Sequence, residues 1–391
     1  MAWDTLTVIA LALAVSFVMS EAFFSIKYPR VIGQILTGII LGLPFIKVIF
    51  NQESLIDIKF LADLGIIFLL LLTGMKINLE KFRKSGKDTI YIALFGVLVP
   101  FFTGFILMRA MGYDSLVALI FGAAISLTAE GTKLKVLMEM NMLNTKVGMV
   151  MLGAGILDDI FEVLFLAGVL VIAEHSYAAL TLIPIKIVVF VIIVVLTYKL
   201  FPYVLGFVKR EHSRIATLSL IILFGLVVAV ASHKMGLGNI IGAFIAGVII
   251  NIVDRRTVTL ERDINDLESI TFAFIIPFFF INIGLHFDIH SVLNNVWLTV
   301  LVLIVATISK IAGALVAKPF TKLSLRQAHL IGWGLNSRGA IELIIAEVAL
   351  QQNLIPIEIY SSLVFMAIVT TLLFPFMVKS IVKTNPKILN E

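Results

Sequence analysis

The 391-residue chain contains no cysteine, which excludes a disulfide framework and any thiolate metal site. Charge is scarce too: Asp, Glu, Lys and Arg make up 14% of the residues, against about 25% in soluble domains. Proline, a helix breaker, occurs only ten times. The chain is filled instead with apolar residues, 60% of the total, where soluble domains hold roughly 45–50%. Hydrophobic blocks of about 17 to 26 residues recur from end to end, and about 20 such residues cross the hydrocarbon of a bilayer as a helix. Lipid offers no partner to a free backbone amide, so the expected fold is an all-α membrane protein.

Thirteen transmembrane helices are expected, near 5–24, 30–50, 59–75, 88–109, 115–132, 147–172, 181–205, 215–232, 238–253, 267–286, 293–317, 327–350 and 357–381. Ahead of the first lies Asp4 and no basic residue, so it reads as a span and not as a signal peptide. Connections are short and ten residues follow Ile381, so a single membrane domain over 1–391 accounts for the sequence. The loops after odd-numbered spans hold 22 Lys and Arg, among them Lys76, Lys81, Arg83, Lys84 and Lys87, whereas those after even-numbered spans hold Lys186 and Lys234. The positive-inside rule then places the N-terminus outside and the C-terminus in the cytoplasm. The net charge of +5 is explained by this orientation, since the basic residues form no patch for nucleic acid. Membrane lipid is the expected surrounding.

The second span reads VIGQILTGIILG (31–42) and the ninth IIGAFIAGVIIN (240–251), so that Gly33 and Gly38 match Gly242 and Gly247 at an offset of 209. At an offset of 210, Gly74 matches Gly284 and Gly122 matches Gly332. Matching spans are seven apart, an odd number, so the copies cross the membrane in opposite senses. Such inverted repeats build alternating-access transporters, with the site near the midplane where they meet.

Helix breaks are expected in the related fifth and twelfth spans. GAAISLTAEGTKLK (122–135) carries Ser126, Thr128, Glu130 and Gly131, and GWGLNSRGAIELI (332–344) carries Asn336, Ser337, Arg338, Gly339 and Glu342. Gly, Ser and Asn are mediocre helix formers. An interrupted helix uses them, because its freed carbonyls and hydroxyls can hold a cation and its half-helix ends carry partial charge. Small residues for close packing explain the glycines equally well, but not Arg338 and Glu342, which lie one turn apart and are expected to pair.

The sixth span, GAGILDDIFEVLFLAG (153–168), sets Asp158 beside Asp159, with Glu162 three residues on. A carboxylate at mid-bilayer costs at least ~2.5–3.5 kcal/mol, so such residues face protein or water and point to function. Neighbouring helix positions diverge by about 100°, so the two aspartates cannot share one proton as an intramembrane aspartyl protease would require. Lys310, the one basic residue other than Arg338 deep in a span, offers a counter-charge to one aspartate and leaves the other free to exchange.

Taken together, PRVIGQILTGIILGLP (29–44), Asp158/Asp159, IIGAFIAG (240–247), Lys310 and NSRGAIEL (336–343) resemble the monovalent cation:proton antiporter-2 family, in its two-aspartate sodium/proton type. The resemblance runs over the whole chain. It implies secondary active exchange of sodium or lithium for protons across the cell membrane, with no cofactor beyond the transported ions. It also implies a homodimer whose core domain, about 88–172 and 293–381, holds two crossed, broken helices and moves like an elevator. Dimerisation helices would span about 5–75 and 215–286, joined through a linker helix at about 181–205. By the same resemblance exchange is electrogenic, Asp158 pairs with Lys310, Asp159 binds the cation and Thr128 lies at the helix crossing, so that Asp158, Asp159, Thr128 and Ser126 form the expected cation- and proton-binding set. Glu162, Glu130, Asn336, Arg338 and Glu342 are expected to support the site. The chain departs from the family at Glu162, where a small or apolar residue is usual, and in the charge carried by Glu130 and Lys133. A potassium/proton exchanger would use the same residues, although no nucleotide-binding domain of the Kef type follows. An organic-anion symporter is disfavoured by the acidic pair.

Overall fold

The structure is a computed structural model that describes residues 3–76, 86–140, 142–143, 145–174, 183–210, 214–235, 238–257 and 260–389. Within its helices the side chains of Glu130, Asp159 and Glu162 also lie outside the described residues. Every regular element described is helical: α1 (Thr5–Ser25), α2 (Arg30–Leu41), α3 (Pro44–Lys47), α4 (Gln52–Lys76), α5 (Lys87–Ala110) and α6 (Ser115–Ser126). There follow α7 (Glu130–Glu139), α8 (Lys146–Glu174), α9 (Ile183–Arg210), α10 (Arg214–Lys234), α11 (Asn239–Thr257) and α12 (Glu261–Phe274). The chain continues through α13 (Ile276–His286), α14 (Ile289–Asn294), α15 (Val296–Ala317), α16 (Leu325–Gly334), α17 (Ala340–Gln351) and α18 (Ile357–Thr384). Among the described residues six helical stretches are long and apolar enough to cross a membrane: Thr5–Ser25, Lys87–Ala110, Ile215–Lys234, Arg262–His286, Val296–Phe320 and Ile357–Thr384. The chain is a multi-pass, all-α membrane protein.

Local chemistry sets several boundaries differently from the apolar blocks. The second block ends as a helix at Leu41, not near 50, because Pro44 disfavours helical geometry at the residue before it and opens the separate turn α3. The tenth block starts earlier, at Glu261, and divides at Ile275 into α12 and α13; Pro277 has no N–H with which to continue the ladder. Lys47, Lys59 and Arg109 fall within the block limits, near the ends that the alternation assigns to the even side. Adding these three makes the basic contrast 22 against 5, which keeps its direction.

The chain forms two compact units: Met1–Ile26, Arg30–Ile77 and Leu170–His286 make the first, and Lys27–Pro29, Asn78–Val169 and Phe287–Glu391 the second. In the first unit α4 packs on α11 and α2 on α13. Both contacts depend on glycine. A Cβ at Gly38 would strike the Ile281 carbonyl and the Gly284 Cα, and a Cβ at Gly247 would strike the Leu71 carbonyl and the Gly74 Cα. Close approach of this kind is what small residues allow between membrane helices. In the second unit α5 packs on both α6 and α15, and α15 on α16 and α18. Buried Ile92, Val150, Met151, Leu330 and Phe374 belong to its core. At the end of this unit Asp288 caps α14, its carboxylate accepting from the Ser291 hydroxyl at 2.7 Å and the His290 amide at 2.9 Å. The serine bond, more than the others, holds that carboxyl below its ordinary range.

Candidate functional site

Helix α6 stops at Ser126 and α7 starts at Glu130; α16 stops at Gly334 and α17 starts at Ala340. The two interruptions are joined to each other. The Ala129 amide donates to the Ser337 carbonyl at 2.9 Å, the Ser337 hydroxyl returns to the Ala129 carbonyl at 3.0 Å, and the Thr128 hydroxyl donates to the Leu335 carbonyl at 3.1 Å. Backbone groups released by each break are therefore partly satisfied by the other, as buried amides and carbonyls require.

The C-terminal end of α6 presents carbonyls that no helical amide can reach. Basic side chains take them. Arg338 donates from Nη1 to the Ile125 and Leu127 carbonyls, both at 2.6 Å, and from Nη2 to the Ala306 carbonyl at 3.2 Å. Lys310 donates from Nζ to the Ser126 carbonyl at 2.5 Å and the Gly96 carbonyl at 2.9 Å. Two cations thus meet the negative end of one half-helix dipole. These carbonyls are taken up by the protein's own charges. Arg338 and Glu342 do approach, Nε to Oε2 at 3.9 Å, but the guanidinium makes its short bonds to the backbone of α6.

The availability of Gly96 has a local cause. Pro100 stands four residues along α5 and has no N–H to offer the Gly96 carbonyl, so that carbonyl is left for Lys310. Asp158 is fully buried on α8, with Oδ2 3.9 Å from Lys310 Nζ. Neither of its carboxylate oxygens has a hydrogen-bond partner among the described residues, and the same holds for both ends of the Asn336 amide and both oxygens of Glu342. Most buried polar atoms are paired, so these open carboxylate and amide oxygens beside the helix breaks are acceptors able to take up a proton or a hard cation. Ser126, also fully buried, turns its hydroxyl back to the Ala123 carbonyl at 2.7 Å.

Of the residues singled out from sequence, Ser126, Thr128, Asp158, Lys310, Asn336, Arg338 and Glu342 are buried in the second unit. Asp159, Glu162 and Glu130 have side chains outside the described residues. Sequence reasoning missed Gly96, Ala306 and Thr371, whose hydroxyl bridges the Arg338 amide and carbonyl at 3.3 and 3.1 Å. Of these only Gly96 had a signal, the Pro100 inside an apolar span. It also missed Glu347, which accepts from the Tyr360 hydroxyl at 2.6 Å and from Gln351 Nε2 at 2.8 Å.

A family profile described as "Sodium/hydrogen exchanger, transmembrane" matches residues 7–384. A Na(+)/H(+) antiporter of Enterococcus hirae is 29% identical over 361 residues, 91% of this chain and 92% of the relative. The Na(+)/H(+)-K(+) antiporter GerN of Bacillus cereus is 27% identical over 374 residues, 95% and 94% of the two chains. The solved structure of the sodium proton antiporter MjNhaP1 of Methanocaldococcus jannaschii at pH 8 superposes with a TM-score of 0.71 at 18% identity, covering 99% of each chain. That likeness shows a shared fold.

Proposed function

Because the chain belongs to the sodium/hydrogen exchanger family, we propose that it exchanges sodium or lithium for protons across the cell membrane by alternating access. The observation that carries this reading is Asp158, a fully buried carboxylate 3.9 Å from Lys310 whose oxygens are open beside two interrupted helices. A carboxylate without its proton is a ligand for a hard cation; with its proton it is a poor one. Proton and cation then exclude each other, and that competition couples their opposite fluxes. Asp159 is the cation ligand and Asp158 the partner of Lys310, with Thr128 and Ser126 completing the cation- and proton-binding set; Thr128 also ties the crossing. Glu130, Glu162, Asn336, Arg338 and Glu342 support the site.

The finer architecture belongs to the same proposal: thirteen crossings in two inverted repeats, with the N-terminus outside and the C-terminus in the cytoplasm. Two close approaches support the repeats. Gly38 meets Gly284, and Gly247 meets Gly74; exchanging the repeats turns one contact into the other. A mobile core formed by about 88–172 and 293–381, dimerisation helices at about 5–75 and 215–286 and a linker at about 181–205 would give a homodimer working as an elevator. The division of the chain into two compact units lends support. Potassium is a second candidate cation, favoured by the likeness to GerN.

Proteoliposomes carrying an imposed pH gradient test the reading. Sodium or lithium is expected to collapse the gradient through the protein, and the response to potassium decides between the two cation readings. If none of the three ions moves protons, the protein is not an exchanger.

A further inference from the structure

A cavity of about 870 Å³ opens between the ends of α15, α16 and α18 and the turn Pro386–Leu389. It lies apart from the helix breaks, at the end of the second unit that also gathers Lys318, Lys322, Lys379, Lys383 and Lys387. Leu315, Leu325 and Ile381 give it an apolar wall, and Arg326, His329, Ser380, Thr384 and Asn385 contribute the polar part of its lining. The turn that closes one side is fixed, because Gln327 Nε2 donates to the Ile388 carbonyl at 3.1 Å.

Three features of the lining favour an oxyanion. Arg326 is exposed and makes no hydrogen bond or ion pair among the described residues. The indole of Trp333 donates to His329 Nε2 at 3.2 Å, which leaves the proton of the neutral ring on Nδ1 as a second donor. Arg326 and Leu325 form the first turn of α16, which has no acidic residue there, so the positive end of the helix dipole is uncompensated by a carboxylate of its own. A fully hydrated free anion gains nothing from the apolar wall, whereas an amphiphile gains from both halves. Leu325 and Phe320 beside it are 62% and 54% exposed, a surface suited to acyl chains.

We propose that this cavity binds the phosphate headgroup of an anionic phospholipid. Arg326 and His329 hold the phosphate, and Leu315, Leu325 and Ile381 receive the glycerol backbone and the upper acyl chain. Basic pockets between membrane helices on the cytoplasmic side recognise such headgroups in general. Occupancy bears on α16, the half-helix that runs to the break at Asn336.

Phosphatidylglycerol titrated onto the purified full-length protein in detergent, with bound lipid read by native mass spectrometry, tests the site independently of transport. Saturable binding is expected, about tenfold weaker in Arg326→Gln and unchanged in Lys383→Gln, which removes an equal charge from the same end outside the cavity. Phosphatidylcholine should not compete. Equal weakening by both variants would show diffuse attraction to a basic surface and overturn the proposal. Displacement by glycerol phosphate at the lipid's own affinity would overturn it as well, by showing a site for a free anion.

Discussion

Asp158 and Lys310 are opposite charges at 3.9 Å with no hydrogen bond between them, while the lysine bonds to two carbonyls. Lys310 is thus held from the α5 and α6 side whatever Asp158 does, and the aspartate can change partner without releasing the lysine's position. This leaves Asp159 as the residue whose loss should stop exchange outright. Asp159→Asn is expected to remain folded, judged by its elution and melting temperature, and to lose sodium-driven proton flux. Flux at the level of the unsubstituted protein would remove Asp159 from the site. At this scale the sequence was readable where a charge interrupts an apolar run, as at Asp158, Lys310 and Arg338. It was silent where the partner is a backbone carbonyl, because any residue can supply one. Gly96 is 214 positions from Lys310, and only the missing N–H of Pro100 hints that its carbonyl is free.

The interrupted helices are held by contacts that neither could make alone. Arg338 leaves the break after α16 and bonds to the end of α6, with Thr371 of α18 gripping its backbone. The spacing of Arg338 and Glu342 predicts an ion pair one turn apart, and the two do pair at 3.9 Å; the guanidinium also makes shorter bonds across helices, since an arginine offers five donors and a nearby carboxylate uses at most two. The position of the breaks was legible from the cluster of polar and small residues, and their mutual hydrogen bonding was not, because register between distant segments leaves no local trace. Both residues are expected to be structural. Arg338→Gln should cost on the order of 3 kcal/mol, since it strands buried carbonyls and Glu342 together, and Glu342→Gln should cost less. In each variant the fall in melting temperature should exceed the change in apparent sodium affinity. A variant that melts normally but binds sodium poorly would instead place that residue in the ion site.

For the molecule as a whole, the apolar blocks made the all-α membrane fold readable, and the glycine matches are the ground on which the two halves are proposed to be repeats. What periodicity could not supply is charge per cycle, which depends on how many groups gain and lose protons together. If two protons exchange for one sodium ion, each cycle moves one charge, and the membrane potential contributes ~2.3 kcal/mol per 100 mV. In the proposed mechanism one proton belongs to the carboxylate that alternates with sodium. The second has two possible carriers. Lys310 is fully buried and near Asp158, so a change at the aspartate alters the field at the ammonium directly. Glu162 lies four residues after Asp158 and three after Asp159 on α8, close to the same helix face. Gln at 310 keeps an amide donor but not the charge, so Lys310→Gln should give either little activity or exchange that no longer responds to an imposed potential. Glu162→Gln should keep its response. Sodium-driven flux in vesicles clamped with potassium and valinomycin separates the two. A fully active, potential-sensitive Lys310→Gln beside a potential-insensitive Glu162→Gln would move the second proton from the lysine to the glutamate.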